Sequence, residues 1–371
     1  MSSPPLDGFA IGITADRRAS EQAEMLTRRG ARVVHGPTVR VLGLGPESGL
    51  RVATEALLDR PPDVVLTSTG IGVRAWMTAA ASWGLEERLC RALRPARLLA
   101  RGPKAAGALV TAGLPVSWQA PTERLDELLG HVLAADVGGL RVAVQLDGAL
   151  SPAPALALAA AGCEVVEVPL YRVALPDDDR PARRLVDQAC AGHLDAVTFT
   201  SAAAVVNLLA LADRWGLASG LREALRVRVL PVCVGSVCRE AALAAGLEAA
   251  MEAERGRLGS MVATLTTALA GECRAYAIGG HRVAVQGSRL VINGQGTSMT
   301  NRERDVLGVL IRRPGAVVPK RLLLAQVWGD AQADPHALEV AVARLRRRLG
   351  PAAGGLQTVV RRGYRLDAVN G

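Results

Sequence analysis

The sequence predicts an α/β domain built on parallel sheets, followed by a smaller domain of a different type. Short apolar strands alternate with helices in the first 250 residues, which is typical of βαβ units. The strands are continuously apolar, as in Asp63-Val-Val-Leu-Thr, which indicates sheets covered on both faces. After residue 274 come three short strand candidates and then helical segments, and this change of pattern marks the second domain.

The α/β region contains an internal repeat that predicts two similar lobes. Asp63-Val-Val-Leu-Thr-Ser-Thr-Gly-Ile-Gly-Val is similar to Asp195-Ala-Val-Thr-Phe-Thr-Ser-Ala-Ala-Ala-Val. Each copy is followed by a helix, a strand, a turn of small residues and a helix that ends in Ala-Gly-Leu. We therefore predict two α/β halves with a cleft between them.

The excess positive charge lies at the C-terminal end. The chain of 371 residues has a formal net charge of +9, and residues 271–371 hold 16 Lys/Arg against 7 Asp/Glu. The 28 basic and 28 acidic residues of the remainder cancel. This asymmetry predicts a polyanionic partner for the second domain.

Targeting and metal signals are weak in this sequence. The N-terminus carries no basic segment leading into an apolar core, and the longest apolar run, 153–163, is too short to span a membrane. The six cysteines form no CxxC pair and have no histidines at zinc spacing. We expect a cytoplasmic protein without a membrane partner or a metal site.

The region after Leu290 resembles the winged-helix domain of OmpR/PhoB-type response regulators. The resemblance rests on ordered blocks that include Met299-Thr-Asn-Arg-Glu-Arg-Asp-Val-Leu, Leu338-Glu-Val-Ala-Val-Ala-Arg-Leu-Arg-Arg-Arg-Leu-Gly and Arg362-Gly-Tyr-Arg-Leu. Independently, Thr300 and Glu303 have capping-box spacing, and Asp334-Pro335 is a typical helix start. In the helix that follows, Leu338, Val342, Leu345 and Leu349 share one face, which we expect to be buried.

The resemblance implies double-stranded DNA as partner, read by the outer face of that helix and by a C-terminal wing. Two departures, Ala341 and Ala343 in the helix and a shifted wing arginine, prevent any transfer of sequence specificity. The DNA-contact candidates are His336, Val340, Arg344, Arg346, Arg347 and Arg348 on the helix, with Arg361 and Arg362 on the wing.

The α/β region resembles uroporphyrinogen-III synthase over residues 8–268. The blocks are Thr67-Ser-Thr-Gly-Ile-Gly-Val-Arg-Ala, Gly102-Pro-Lys, Val168-Pro-Leu-Tyr-Arg, Thr198-Phe-Thr-Ser-Ala-Ala-Ala-Val and Val234-Gly-Ser. In that family the chain leaves one lobe, builds the other and returns. The resemblance therefore implies a bilobal domain over 1–268, with lobe 1 at 8–37 and 172–268 and lobe 2 at 38–171. A linker at 269–274 and a winged-helix domain at 275–371 complete the predicted organisation.

The expected chemistry of such a cleft is recognition of an acidic tetrapyrrole. Hydroxyl-rich turns between strand and helix present hydroxyls and free N–H groups that suit carboxylates, although the same residues also cap helices. The ligand candidates are Thr67, Ser68, Thr69, Gly102, Pro103, Lys104, Thr200, Ser201, Gly235 and Ser236. Tyr171 matches the family's Tyr-Arg position, which implies a ligand contact and a catalytic role if the domain is an active enzyme.

Departures from the synthase pattern leave three hypotheses open. The third turn reads Gly102-Pro-Lys-Ala, its echo reads Gly235-Ser-Val-Cys, and a strand that commonly ends Leu-Arg-Gly reads Gln145-Leu-Asp. The first hypothesis is a one-component transcription regulator that senses a tetrapyrrole-like small molecule. Its resemblance to actinobacterial synthase-like regulators implies sirohaem as ligand, nitrate/nitrite assimilation genes as targets, and contacts with other regulators or RNA polymerase. The second is an active synthase carrying a DNA-binding domain, and the third is a DNA-binding protein whose lobes serve as a protein scaffold.

Overall fold

The computed structural model describes residues 4–43, 49–146, 153–271 and 273–370. The chain forms two compact units, one comprising Met1–Thr38 and Pro176–Gly371 and the other comprising Val39–Leu175. The first unit holds lobe 1 together with the C-terminal domain, and the second unit is lobe 2. The chain passes between the units twice, after Thr38 and after Leu175.

Lobe 1 is a five-stranded parallel sheet covered by helices. Its first elements are β1 (Ala10–Ile13), α1 (Ala19–Thr27) and β2 (Arg32–His35). After the excursion into lobe 2, the remaining elements of lobe 1 are built from residues 180–271. The sheet is assembled from both parts of the chain, because β1 pairs in parallel with a strand that starts at Ala196.

Lobe 2 repeats this architecture. Its elements are β3 (Arg40–Gly43), α2 (Gly49–Asp59), β4 (Val64–Thr67), α3 (Gly70–Ser82), α4 (Glu86–Leu93), β5 (Arg97–Ala100), α5 (Pro103–Thr111), β6 (Trp118–Gln119), α6 (Leu125–Leu133), β7 (Arg141–Leu146), α7 (Ala153–Ala160), β8 (Glu164–Pro169) and β9 (Tyr171–Ala174). The parallel sheet has the order β6-β5-β4-β7-β8. The two end strands, β3 and β9, pair with each other in an antiparallel ribbon.

The returning chain completes lobe 1. Its elements are α8 (Arg180–Cys190), β10 (Ala196–Phe199), α9 (Ala202–Arg214), α10 (Ala218–Val227), β11 (Leu230–Cys233), α11 (Ser236–Ala244), β12 (Met251–Glu252) and α12 (Leu258–Gly271). The sheet order β12-β11-β10-β1-β2 matches that of lobe 2 strand for strand. The predicted two-lobed parallel-sheet fold is confirmed, and β10 corresponds to β4 as the internal repeat indicates.

The C-terminal domain has a four-stranded antiparallel meander, three helices and a terminal hairpin. Its elements are β13 (Arg274–Ile278), β14 (His281–Gln286), β15 (Arg289–Ile292), β16 (Gln295–Ser298), α13 (Asn301–Ile311), β17 (Val317–Val318), α14 (Lys320–Trp328), α15 (Pro335–Leu349), the 3-10 helix Gly350–Gly355, β18 (Leu356–Val359), β19 (Gly363–Leu366) and β20 (Ala368–Asn370). The first sheet has the order β16-β15-β14-β13-β20, and the second has β17-β19-β18. This arrangement confirms the predicted winged-helix fold.

The interior of each domain is aliphatic, as the low aromatic content of 3% requires. In the winged-helix domain one core joins the meander to the helices through residues such as Ile278, Leu290, Leu307 and Leu345. The buried stripe predicted for α15 is observed, since Leu338, Val342, Leu345 and Leu349 are each at most 1% exposed.

Some predicted boundaries differ from the structure. The predicted linker 269–274 overlaps α12, which runs to Gly271, and β13 begins at Arg274. The helix extends this far because its apolar stripe continues through Leu265 and Leu269, which are buried against lobe 1. The helices α2, α4, α6, α8, α10 and α12 were not predicted, although α8 buries four side chains and α12 buries five.

Candidate functional site

The helix α15 begins at a capped N-terminus. Asp334 accepts a hydrogen bond from the His336 N–H (2.8 Å), and Pro335 occupies the first turn. Helix α13, the first helix of the domain, is capped by Thr300 and Glu303 in the capping box that the sequence predicts. The two caps fix where the helices start. The buried stripe of α15 determines which face of the helix points away from the core.

The outer face of α15 carries exposed basic side chains. His336, Arg344 and Arg347 are exposed, and Val340 is half-buried. No described residue forms a hydrogen bond or ion pair with the Arg344 or Arg347 guanidinium. Of the two alanines that depart from the family pattern, Ala341 is buried and Ala343 is exposed. Arg344 and Arg347 can therefore contact a polyanion without breaking an internal bond.

Two other candidate arginines of α15 are engaged within the domain. The Arg346 Nε donates to the Leu356 carbonyl (3.0 Å), and its terminal nitrogen donates to Thr358 Oγ1 (2.7 Å). Arg348 lies 3.8 Å from the buried Glu303 carboxylate. Arg346 thereby ties α15 to the hairpin that follows, and Arg348 ties it to α13.

That hairpin is the wing. Strands β18 and β19 pair from Leu356↔Leu366 to Val359↔Gly363, and the tip carries Arg361 and Arg362. Both arginines are exposed, and Arg361 adopts a left-handed conformation at φ 58°. The helix and the wing thus present two pairs of exposed guanidinium groups.

In lobe 2 the hydroxyl-rich turn after β4 is largely satisfied from within. The Thr67 hydroxyl donates to the Leu99 carbonyl (3.0 Å), and Thr67 is 1% exposed. The Ser68 hydroxyl lies 3.5 Å from the Gln145 carbonyl, and Ser68 is also buried. Thr69 caps α3 by accepting from the Gly72 N–H (3.1 Å). This turn lies against the Gly102–Lys104 turn, where Gly102 is buried and Pro103 and Lys104 are exposed.

The side chain of Gln145 fills the same turn of lobe 2. Its Nε2 donates to Thr69 Oγ1 (2.8 Å) and to the Thr69 carbonyl (3.1 Å), while its Oε1 accepts from the Ser68 N–H (3.2 Å). Gln145 is 5% exposed. The uncharged Gln145 side chain therefore hydrogen-bonds to the polar groups that the sequence suggests would hold a carboxylate of the ligand.

The corresponding turns of lobe 1 are more open. Thr200, Ser201, Gly235 and Ser236 are all part-exposed, and the two turns adjoin because β10 and β11 are neighbours. Ser201 caps α9 by accepting from the Ala204 N–H (3.2 Å). By strand register Thr14 stands where lobe 2 has Gln145, and its short hydroxyl stops at the Thr198 carbonyl (2.8 Å).

Two residues named in the sequence predictions lie partly or wholly outside the described residues. Tyr171 belongs to β9, but its side chain lies outside the described residues, as does the whole of Asp147. Among the described residues no group of three or more His, Cys, Asp or Glu side chains could hold a metal ion. Within the same ranges, no helix is long and apolar enough to cross a membrane.

Residues 20–263 match the family of uroporphyrinogen-III synthase HemD. The chain belongs to that family. Residues 294–366 match the family of transcriptional regulatory protein C-terminal domains. A synthase-family domain is thus joined to a regulator-type DNA-binding domain, and double-stranded DNA is the partner of the latter.

Similar proteins cover the two parts separately. A mutant uroporphyrinogen III synthase from Thermus thermophilus is 31% identical, with a TM-score of 0.58 over 70% of this chain and 98% of that one. The Bacillus subtilis (strain 168) protein YjjA is 27% identical over 70% of this chain and 95% of its own length. The transcriptional regulatory protein PrrA of Mycobacterium tuberculosis is 39% identical over 79 residues, which are 21% of this synthase-family chain and 34% of PrrA.

Two residues that join lobe 1 to the winged-helix domain, Asp195 and Arg304, were not predicted from the sequence. In the sequence Asp195 is only the start of a repeat, and Arg304 is only one residue of a family block. Neither has a local pattern that indicates a long-range contact, because the two residues are 109 positions apart. The role of Gln145 was visible only as a departure from the family pattern.

Proposed function

We propose that this synthase-family protein is a one-component transcription regulator in which lobe 1 and lobe 2 sense an acidic tetrapyrrole-type ligand. The observation that carries the proposal is the joining of a synthase-family domain to a regulator-type domain. The reading face of that domain, formed by α15 and the wing, exposes Arg344, Arg347, Arg361 and Arg362, whose guanidinium groups bond to no described residue. Sirohaem is the first ligand to test, and nitrate/nitrite assimilation genes are the first targets.

For DNA contact we assign Arg344, Arg347, Arg361 and Arg362 as the phosphate- and base-contacting groups. Their exposure supports this assignment, whereas the internal bonds of Arg346 and Arg348 support positioning roles for those two. His336 and Val340 lie on the N-terminal part of the same face and are proposed to read bases.

The double substitution Arg344→Ala/Arg347→Ala tests the DNA assignment. Each lost phosphate contact lowers the slope of log affinity against log salt by about 0.9, so we expect a slope smaller by roughly 1.8. Arg282→Ala/Arg313→Ala is the matched control, because both arginines are exposed in the same domain and belong to neither α15 nor the wing hairpin. Fluorescence anisotropy on the promoter beside the gene measures the slopes. Equal slopes in the two double variants contradict the assignment.

For ligand contact the open turns of lobe 1 are the stronger candidates. Thr200, Ser201, Gly235 and Ser236 can offer hydroxyls and N–H groups to a carboxylate. At the edge of the lobe 2 turn Lys104 can offer its ammonium group, whereas Pro103 has no N–H and can contribute only its apolar ring. Thr67, Ser68 and Thr69 are proposed to shape their turn rather than to hold ligand, because their hydroxyls are bonded internally.

A pair of threonine variants tests the ligand assignment. Thr200→Val is expected to weaken binding about tenfold, since a hydrogen bond to a charged group is worth roughly 1.5–3 kcal/mol. Thr67→Val is expected to leave affinity unchanged, because its hydroxyl is buried on Leu99. Absorbance titrations with sirohaem and with uroporphyrin III provide the readout. An unchanged affinity for Thr200→Val overturns the assignment, and the absence of any binding favours a scaffold role.

A ring-closure assay with hydroxymethylbilane separates the sensor from an active synthase. We expect no turnover, since Gln145 occupies one of the two hydroxyl-rich turns that would hold the carboxylates. Robust turnover would establish the enzyme hypothesis instead and would give Tyr171 a catalytic role.

A further inference from the structure

The winged-helix domain is packed directly against lobe 1. Residues 4–9 and the amino ends of β1 and β10 supply the lobe 1 side of the contact. The turn between β14 and β15 and the first turns of α13 supply the other side. We call this contact the docking seam.

A buried carboxylate stands at the centre of the docking seam. Asp195 is 6% exposed, and its Oδ2 accepts from the Ala10 N–H (2.7 Å), which holds β10 to β1. Its Oδ1 pairs with the Arg304 guanidinium of α13. A charge buried to this degree is stable only when it is paired, so separating Arg304 from Asp195 carries a large cost.

Lobe 2 provides a natural control for Asp195. Asp63 occupies the equivalent position, and its Oδ2 accepts from the Arg141 N–H (2.8 Å) of the neighbouring strand. Asp63 is exposed, and no described arginine pairs with it. The strand-holding bond is therefore common to both lobes, whereas the arginine partner belongs to lobe 1 alone within the described ranges.

A backbone contact fixes the register of the docking seam. The Ser288 N–H and hydroxyl both donate to the Gly8 carbonyl at 2.8 Å. Gly8 (φ +88°) and Gly287 (φ +55°) both adopt the left-handed region, and a Cβ on Gly8 would lie 2.5 Å from the Gln286 carbonyl. A Cβ on Gly287 would overlap the Gly8 carbonyl. Only glycine at both positions permits this approach.

Further polar contacts flank the glycines. Asp7 pairs with Arg289, and both side chains are about one-quarter exposed. The Gln286 amide donates to the Pro5 carbonyl (3.0 Å). These contacts come from the β14–β15 hairpin, and the Asp195–Arg304 pair comes from α13. Because the winged-helix domain is held at two separate elements, its rotation is restrained as well as its position.

The docking seam lies one strand length from the candidate ligand turns of lobe 1. Strand β10 starts next to Asp195 and ends next to Thr200 and Ser201, a span of roughly 15 Å at 3.3 Å per residue. The reading face stays accessible in the docked arrangement, since Arg344 and Arg347 are exposed. The seam is therefore compatible with DNA binding and does not mask the reading helix.

We propose that the docking seam makes the winged-helix domain a fixed extension of lobe 1. We further propose that Asp195–Arg304 and the Gly8–Gly287 contact transmit ligand-dependent changes in lobe 1 to the DNA-binding helices. The second statement rests on the proposed sensor function, whereas the first does not. Arg304 is a positioning residue on this view, since it touches neither DNA nor ligand.

The Ser288 amide is a direct reporter of docking, because its hydrogen bond crosses the seam. We expect Gly287→Ala in the full-length protein to accelerate hydrogen exchange of this amide by about tenfold or more. Gly280→Ala is the matched control, since Gly280 has φ +78° in the preceding hairpin turn and a Cβ there meets nothing within 4 Å. The control is expected to change Ser288 exchange by less than about twofold.

A second pair of variants tests the ion pair. Arg304→Ala is expected to accelerate Ser288 exchange about tenfold, and Arg313→Ala, just beyond the C-terminal end of α13, is expected to leave it unchanged. Protection of the amides paired between β14 and β15 checks that each variant remains folded. Unchanged Ser288 exchange in both Gly287→Ala and Arg304→Ala overturns the fixed-extension proposal.

The transmission step has its own readout. In the wild type we expect saturating sirohaem or uroporphyrin III to shift DNA affinity, and in Arg304→Ala we expect that shift to disappear while ligand binding persists. A full shift in Arg304→Ala overturns transmission through the seam. If the wild type shows no shift with either probe, the sensor function fails, whereas the Ser288 measurements still decide whether the domain is docked.

Discussion

The two lobes share a fold but use its two edges differently. At the amino edge of the sheet, Asp195 of lobe 1 and Asp63 of lobe 2 both hold the neighbouring strand, and only Asp195 also binds an arginine of the winged-helix domain. At the carboxyl edge, the lobe 2 turn is filled by Gln145, whereas Thr14 leaves the lobe 1 turn open. Among the described residues, lobe 1 carries the contacts to the winged-helix domain, whereas the polar groups of the lobe 2 turn are bonded to Gln145.

The aspartate pair provides the largest expected difference. Asp195→Asn keeps an acceptor for the Ala10 N–H but removes the charge paired with Arg304, so we expect a loss of about 2 kcal/mol in the free energy of unfolding. Asp63→Asn should cost under about 0.5 kcal/mol, because Asp63 is exposed. Urea unfolding followed by circular dichroism measures both. Equal losses would remove the distinction between the amino edges of the lobes.

Gln145→Ala tests the carboxyl edges. The variant removes the bonds to Thr69 and Ser68, and we expect it to destabilise lobe 2 by about 1 kcal/mol in total. It also frees the Thr69 hydroxyl and the Ser68 N–H, so affinity for uroporphyrin III should rise. Thr14→Ala, at the equivalent position of lobe 1, is the control, and its ligand affinity should not rise. A stability loss without any gain in affinity would show that Gln145 has a packing role only.

The smallest expected effect concerns pH at the docking seam. Burial lowers the pKa of His193 below its ordinary value of 6.5, an effect opposed by the nearby Asp305 carboxylate and increased by Arg302, Arg304 and Arg32. The unfolded chain therefore binds the proton more readily, so stability rises with pH up to about 6.5 and is lost on acidification below it. We expect about 0.5 kcal/mol, because His193 is part-exposed and water screens the charge.

His193→Gln should abolish this component when Ser288 exchange, corrected for intrinsic rates, is compared at pH 7.5 and 5.5. Burial raises the pKa of Asp305 above its ordinary value of 3.8. Its contribution to the free energy of unfolding therefore has the opposite sign to that of His193: it is present at low pH and is lost as the pH rises. Asp305→Asn removes the carboxylate that opposes the lowering of the His193 pKa, so the His193 component should be larger in that variant. A pH dependence that persists in His193→Gln would place the titrating group elsewhere.

Much of this architecture could be predicted from the sequence alone. Alternation of apolar strands with helical patterns predicts the parallel sheets, and the repeat at Asp63 and Asp195 predicts the two lobes, because periodicity and turn residues are local signals. The same holds for the caps at Thr300 and Asp334 and for the buried stripe of α15. The excess charge of residues 271–371 predicts the polyanion partner without any coordinates.

The tertiary structure decided which polar residues are already engaged. Thr67 and Thr200 occupy similar motifs, yet one hydroxyl is bound to a neighbouring strand and the other residue is part-exposed. Arg346 and Arg347 are adjacent in sequence, yet only Arg346 is bound to the wing. The partner in each case comes from a distant segment, as Arg304 does for Asp195, and no local pattern specifies it. Local propensity and periodicity determine the elements, whereas a side chain's role depends on what the packed chain brings within hydrogen-bonding distance.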